Sequence, residues 1–338
     1  MNSKALRQTA LLLVGAAILG ALIWQAGPSH ITRELAKIGW AAFALLVGLS
    51  FLWNTVAALA WRLLFDRAHP TIGWKKLWHT RICGESVNTL TPFLNLGGEP
   101  VKIVLLGRHL AEDQGTTYVL LDKTIFFLAS LLYMASGLVL GFFVFPGHVL
   151  VLVVSGTLLA LWIAALVYVV RRQSQGHTVL AVLDLLSRLR VKTGPAFRER
   201  MERVDADLAA FWKNHRARFL SALAVHFTGR CVRAFDVWLI AMLLHSPIGF
   251  ESAYFISAAA VLVNTAFSFM ANALGPYEGV HGYLFRLLGL EFDTGLSMGI
   301  LRTIRTLTFA GIGYVILVAV PSGRSVAAAS PNGQEVAP

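Results

Sequence analysis

Residues 124–170 read TIFFLASLLYMASGLVLGFFVFPGHVLVLVVSGTLLALWIAALVYVV. Residues 124–145 carry no charge, and neither do residues 149–170. At about 1.5 Å of rise per residue, each run is long enough to cross roughly 30 Å of hydrocarbon. A backbone at that depth must satisfy its own hydrogen bonds, so both runs are helices. Pro146 and Gly147 form the tight turn between them.

Working outward, further apolar segments occupy residues 9–26, 40–61, 219–244 and 294–320. The expected fold class is therefore all-α: a polytopic membrane protein with about six transmembrane helices. Composition agrees. Of the 338 residues, 56% are hydrophobic and 14% charged, whereas a soluble domain carries nearer about 25% charged residues.

The net charge of +11 would suggest nucleic acid in a soluble protein. Here the basic residues gather in loops, as the positive-inside rule requires. No aromatic–basic platform is present, so nucleic acid is not an expected partner. Lys4 and Arg7 precede the first helix, and Arg62, Arg67, Lys75, Lys76 and Arg81 follow the second. Both clusters place the N-terminus in the cytoplasm, in a bacterial-type inner membrane. Residues 9–26 are too long an apolar stretch for a cleavable signal, and no A-x-A site follows. Cys83 and Cys231 form no C-x-x-C pattern and no Cys/His cluster, so neither a disulfide framework nor a metal site is indicated.

Two stretches depart from simple spans. Between Arg81 and Lys102 the chain reads ICGESVNTLTPFLNLGGEPV. Its uncharged part is too short to cross, and Pro92, Gly97, Gly98 and Pro100 interrupt it. A run of that length is more often re-entrant. Residues 82–107 are therefore expected to form a helical hairpin entering from the cytoplasm, turning near Asn88 and Pro92. Residues 253–290 contain ANALGPYEGVHG, with turn residues Gly275, Pro276 and Gly279. They fit a second hairpin, although residues 253–276 are also long enough to cross fully.

The expected organisation is two membrane halves, 1–148 and 149–320, with a disordered tail at 321–338. Each half has three spans and one hairpin, so the second is inverted relative to the first, as in many transporters. Residues 171–218 hold eleven Lys/Arg against five Asp/Glu. A helical stripe at Val179, Val182, Leu183, Leu186 and Leu189 leaves two readings open: a helix lying on the inner membrane surface, or a plain cytoplasmic connector. Residues 28–37 are expected to form a short outer loop.

Ionisable residues inside spans are costly and usually line a pathway. His226, Arg230, Arg233 and Asp236 share one helical face. Arg302 and Arg305 sit one turn apart on the last helix. Asp122 and Lys123 lie near the inner end of another span, and Glu99 and Glu278 flank the glycine turns. The arginines could pair internally, Arg233 with Asp236 and another with Glu99 or Glu278. Counted together, they outnumber the acids, and an arginine fork suits phosphate oxygens.

No H-E-x-x-H, G-x-S-x-G or phosphate-loop motif is present, so no catalytic residues and no cofactor are expected.

The segment N-T-L-T-P-F-L-N-L-G-G-E-P-V-K, from Asn88 to Lys102, resembles the "P…GE-P-x-[RK]" signature of a flippase-like family. That family is named after the transmembrane region of lysylphosphatidylglycerol synthase. G-P-Y-E-G-V-H-G-Y-L, from Gly275 to Leu284, is similar to its second signature. Two-part members add an aminoacyl-transferase domain. This chain ends at Pro338 without one, so lipid lysylation is not expected of it. Stand-alone members occur beside hopanoid and glycolipid pathways.

The resemblance implies a lipid flippase or translocator rather than an enzyme. Its expected lipid-binding residues are Arg230, Arg233, Asp236, Arg302, Arg305, Glu99, Lys102 and Glu278. Two alternatives are a membrane scaffold that presents lipid to a biosynthetic enzyme, and an intramembrane lipid-modifying enzyme.

Overall fold

The computed structural model describes residues 24, 28–65, 72–91, 96–107, 110–144, 147, 149–188, 194–267 and 275–319. The expected first helix at 9–26, apart from Trp24, lies outside the described residues, as do Pro92 and the tail at 321–338.

The protein is an all-helical polytopic membrane protein. Eleven helices lie among the described residues: α1 (Pro28–Arg62), α2 (Trp74–Leu90), α3 (Glu99–Leu106), α4 (Glu112–Val144), α5 (Val149–Ser174), α6 (Thr178–Arg188), α7 (Pro195–Asn214), α8 (Arg216–Leu243), α9 (Phe250–Ala266), α10 (Pro276–Leu287) and α11 (Phe292–Ala319). Four stretches are both long and apolar enough to cross a membrane: Ala36–Arg62, Glu112–Phe143, Val153–Ser174 and Phe292–Ala319. α8 has the length, at 28 residues, but its arginines and Asp236 make it far more polar.

The loop expected at residues 28–37 is helical instead. α1 runs from Pro28 and is broken at Gly39, whose φ of 76° is one that residues with a Cβ avoid. One glycine thus redirects the chain between two helical pieces without a loop.

Two apolar clusters close the ends of the bundle. The first gathers Trp61 and Leu64 of the α1 end, Leu77 of the α2 start, Leu121 and Ile125 of α4, and Ala222 of α8. The second gathers Leu46 of α1, Ile240 of α8, Ile256 of α9, Phe285 of α10 and Leu301 of α11. α1 and α8 pack closely and run antiparallel between them. α2 starts in the first cluster and α9 in the second. α3 returns alongside α2, and α10 returns alongside α9.

Two outer packing arrangements resemble each other. α11 lies on α1 and α2, and α4 lies on α8 and α9. Glycines make both outer contacts close. A Cβ on Gly137 of α4 would overlap the Ala258 methyl of α9, and one on Gly313 of α11 would overlap Ser86 Oγ of α2. The interval from Gly137 to Gly313 equals that from Asn88 to Asn264.

The segment between α5 and α8 is a helical pair docked on the end of α4. The Asp205 carboxylate of α7 accepts from the backbone N–H groups of Thr178, Val179 and Leu180, at 3.1, 2.9 and 3.0 Å. That arrangement satisfies the orphan donors at the start of α6 and places negative charge at its positive end. Arg203 Nε meets Asp113 of α4 at 2.9 Å, and Arg200 pairs with Glu112. The apolar stripe of α6 is divided: Leu183 is buried in the first cluster with Val179 packed against it, while Val182 is exposed. α6 therefore spends much of that stripe on the protein itself.

Candidate functional site: a basic cavity between the hairpins

Hydrocarbon-length helices have little use for charge, yet their middles here are densely charged. Arg81 of α2 pairs with Asp122 of α4, and Asp122 also bonds His226 of α8 at 3.1 Å. Glu85, one turn beyond Arg81, binds Lys102 of α3 at 3.0 Å and lies 3.7 Å from Arg81. Glu99 at the start of α3 takes Lys102 at 3.1 Å and Lys123 of α4 at 3.0 Å. Asn88 joins this network at the hairpin turn. Its Nδ2 donates to Glu99 at 3.1 Å, and its Oδ1 accepts from Gly98 N–H at 2.7 Å. Gly98 must lack a side chain, because a Cβ there would run into the Gly84 carbonyl.

The second hairpin has its own polar contacts. Glu278 of α10 accepts from Gly275 N–H at 2.6 Å and from the Thr303 hydroxyl of α11. His281 Nδ1 lies 2.6 Å from the Tyr277 carbonyl, and its Nε2 lies 2.8 Å from Arg302. Nδ1–H donating to the carbonyl leaves Nε2 to accept from the guanidinium, which fits a neutral ring. Asp236 of α8 binds Arg302 Nε at 3.2 Å and also pairs with Arg305.

A cavity of about 170 Å³ opens between these groups. Its wall includes Trp53 of α1, Glu85 of α2, Lys123 and Phe126 of α4, and Asn264 of α9. It also includes all five of the residues expected from α8 and α11: Arg230, Arg233, Asp236, Arg302 and Arg305. The other expected residues stand behind the wall. Glu99 and Lys102 reach it through Lys123 and Glu85, while Glu278 bonds Thr303, which also stands behind the wall. Asp122 also lies behind the wall, tied to Arg81 and His226.

Two arginines differ from the rest. Arg230 donates to Ser130 Oγ, and its guanidinium lies 4.3 Å from the Phe126 ring centroid and 5.3 Å from that of Trp53. Arg233 lies 5.2 Å from the same Trp53 centroid. Neither forms an ion pair with a carboxylate among the described residues, and Arg230 is only 3% exposed. Aromatic faces stabilise a cation but do not neutralise it. The cavity wall thus keeps uncompensated positive charge, concentrated on α8.

The pairings expected from sequence are different. Among the described residues Asp236 turns to Arg302 and Arg305 rather than to Arg233, and neither Glu99 nor Glu278 forms an ion pair with an arginine. Asp236 faces α11, where two guanidinium groups converge on it. Glu99 lies within reach of two lysines, which leaves it no need of an arginine. Sequence reasoning also passed over Arg81, Glu85, Trp53, Asn54 and His281 as site residues. Ser50 and Asn54, one turn apart in an otherwise apolar helix, were the available signal.

Fold and site together define a multi-pass membrane protein with a basic cavity at the middle of its bundle. The chain belongs to the family described as the lysylphosphatidylglycerol synthase TM region, which it matches over residues 9–313. Membership places it in a lipid-related family of membrane proteins. A similar curated protein is the "UPF0104 membrane protein" of Methanothermobacter thermautotrophicus (strain Delta H), 29% identical over 99 residues. The matched stretch spans 29% of this chain and 29% of that relative. No solved structure matches the chain.

Proposed function

We propose that this protein moves a phosphate-bearing lipid between leaflets, with the head group held in the cavity chiefly by Arg230 and Arg233. The observation that carries the reading is the pair of arginines without carboxylate partners among the described residues, set in a wall where every other base has one. Burying a charge unpaired is expensive, so a site that keeps Arg230 buried and a half-buried Arg233 beside it suits an anionic occupant. Arg302 and Arg305, already joined to Asp236, would shape the wall and add donors.

The two hairpins would enter the membrane from opposite sides as the inner and outer gates of an inverted repeat. Three features support this. α2 and α9 start in opposite end clusters, both reach the cavity, and the outer packing contacts through Gly137 and Gly313 match. The turns differ in a way suited to alternating access. Asn88 is engaged with Gly98 and Glu99, whereas Asn264 faces the cavity. With the N-terminus cytoplasmic, the α6–α7 pair would lie on the inner side of a bacterial-type inner membrane.

The test is transbilayer movement of labelled phosphatidylglycerol in proteoliposomes. Wild-type protein should accelerate it, and Arg230→Gln with Arg233→Gln should lower the rate at least about tenfold, the loss of a charge-assisted contact. An unchanged rate in a folded double variant would refute the role of these arginines.

The basic α6–α7 pair favours a second reading, a scaffold that presents lipid to a biosynthetic enzyme. It expects lipid binding without translocation and co-purification of a synthase that depends on residues 171–218.

A further inference from the structure

The cavity wall holds more than arginine. Among the described residues, wall residues carry six buried polar atoms that make no hydrogen bond; four belong to the ion-paired group Asp236, Arg302 and Arg305, and the other two differ in kind: Arg230 Nε is a donor and Asn54 Oδ1 an acceptor. Asn54 is 3% exposed, and its Nδ2 is already used on the Ser50 carbonyl at 2.9 Å. Thr89 and Thr306, also on the wall, donate their hydroxyl protons to the carbonyls of Glu85 at 3.0 Å and Arg302 at 2.8 Å. Their oxygens remain as acceptors.

The wall therefore offers guanidinium donors and, beside them, uncharged acceptors. Donors of the first kind suit phosphate oxygens. The acceptors need a partner that donates hydrogen bonds, either a hydroxyl or an ammonium group. Charge decides between these. Both carboxylates on the wall already serve two cations each: Glu85 serves Lys102 and Arg81, and Asp236 serves Arg302 and Arg305. An ammonium group would find no free counter-charge and would face Arg230 and Arg233. A hydroxyl meets no such repulsion. At about 170 Å³ the cavity has room for on the order of ten waters, which accommodates a phosphate with a short polyol.

We infer that the occupant is a phosphorylated polyol, with its phosphate on Arg230 and Arg233 and a hydroxyl donating to Asn54 Oδ1, and that amine-bearing head groups are rejected. This deepens the head-group reading above and rests on it. The same chemistry could be carried by a lipid or by a free polyol phosphate.

Binding to the purified full chain in detergent separates these cases. The probes are dioctanoyl phosphatidylglycerol, phosphatidylmethanol and phosphatidylethanolamine, with glycerol 3-phosphate as the soluble arm. Phosphatidylmethanol has the same charge as phosphatidylglycerol but no head-group hydroxyl. Phosphatidylglycerol should bind about fivefold or more tighter than phosphatidylmethanol, the scale of one or more neutral hydrogen bonds, and tighter still than phosphatidylethanolamine. Asn54→Leu should erase the gap between the first two.

Equal affinity of the wild type for phosphatidylglycerol and phosphatidylmethanol overturns the polyol inference alone, and this comparison stands even if the variant misfolds. Phosphatidylethanolamine binding as tightly as phosphatidylglycerol also overturns it. Failure of both anionic lipids and of glycerol 3-phosphate overturns the inference together with the head-group reading. Glycerol 3-phosphate binding as tightly as the lipid keeps the polyol phosphate and removes the lipid.

Discussion

Asp236 and Arg233 lie one turn apart on α8 and have opposite relations to their surroundings. Asp236 holds two guanidinium groups of α11, while Arg233 rests on Trp53. Removing the carboxylate leaves two buried cations without their anion. Asp236→Asn should therefore destabilise the protein by about 3 kcal/mol or more, read as a lower midpoint in detergent unfolding. Arg233→Gln removes an uncompensated charge and should leave that midpoint within the range of about 1 kcal/mol, while weakening binding of an anionic lipid. If the two variants unfold alike, the division into paired and unpaired arginines is wrong. The arginines themselves were legible in the sequence, because a charge in an apolar run has few explanations. Their partners were not, because helical spacing says which residues share a face but not which helix that face meets.

At the scale of elements, the hairpin α2–α3 and the two glycine contacts matter most. Asn88 ties α2 to the start of α3 through two buried hydrogen bonds. Asn88→Ala leaves Gly98 N–H without its acceptor, which should cost about 1–3 kcal/mol. It should also raise the labelling rate of a cysteine introduced at Thr91, and an unchanged rate would mean that Asn88 does not hold the turn. Gly137→Val and Gly313→Val each place bulk where α4 meets α9 and α11 meets α2. Overpacking of this kind costs about 1–3 kcal/mol, and if the proposed halves are equivalent the two variants should show similar losses in thermal unfolding. A large effect from only one would argue against equivalent halves. The long apolar helices could be placed from sequence to within a few residues, since their length is set by the membrane. The helical piece before Gly39 and the docking of α6 could not. The first depends on a single backbone dihedral, and the second on Asp205 reaching from one helix to the start of another.

For the molecule as a whole, the end clusters assign loops to sides. The α3–α4 and α7–α8 connections lie with the first cluster, and the α8–α9 and α10–α11 connections lie with the second. Single cysteines at Lys213 and Ser246 should be labelled from opposite sides of intact vesicles, and one at Gly289 should label with Ser246. Labelling of Gly289 with Lys213 would mean that α9 and α10 cross rather than return. The sequence by itself determined that this is an all-helical membrane protein carrying a surplus of buried arginine, because uncharged runs of hydrocarbon length permit no other backbone and each internal charge is visible as an exception. Only the tertiary structure decided which arginines remain unpaired and where the polar atoms of Asn54, Glu85 and Asn264 converge. These depend on contacts between residues far apart in the chain, where a turn of one helix about its axis exchanges one partner for another.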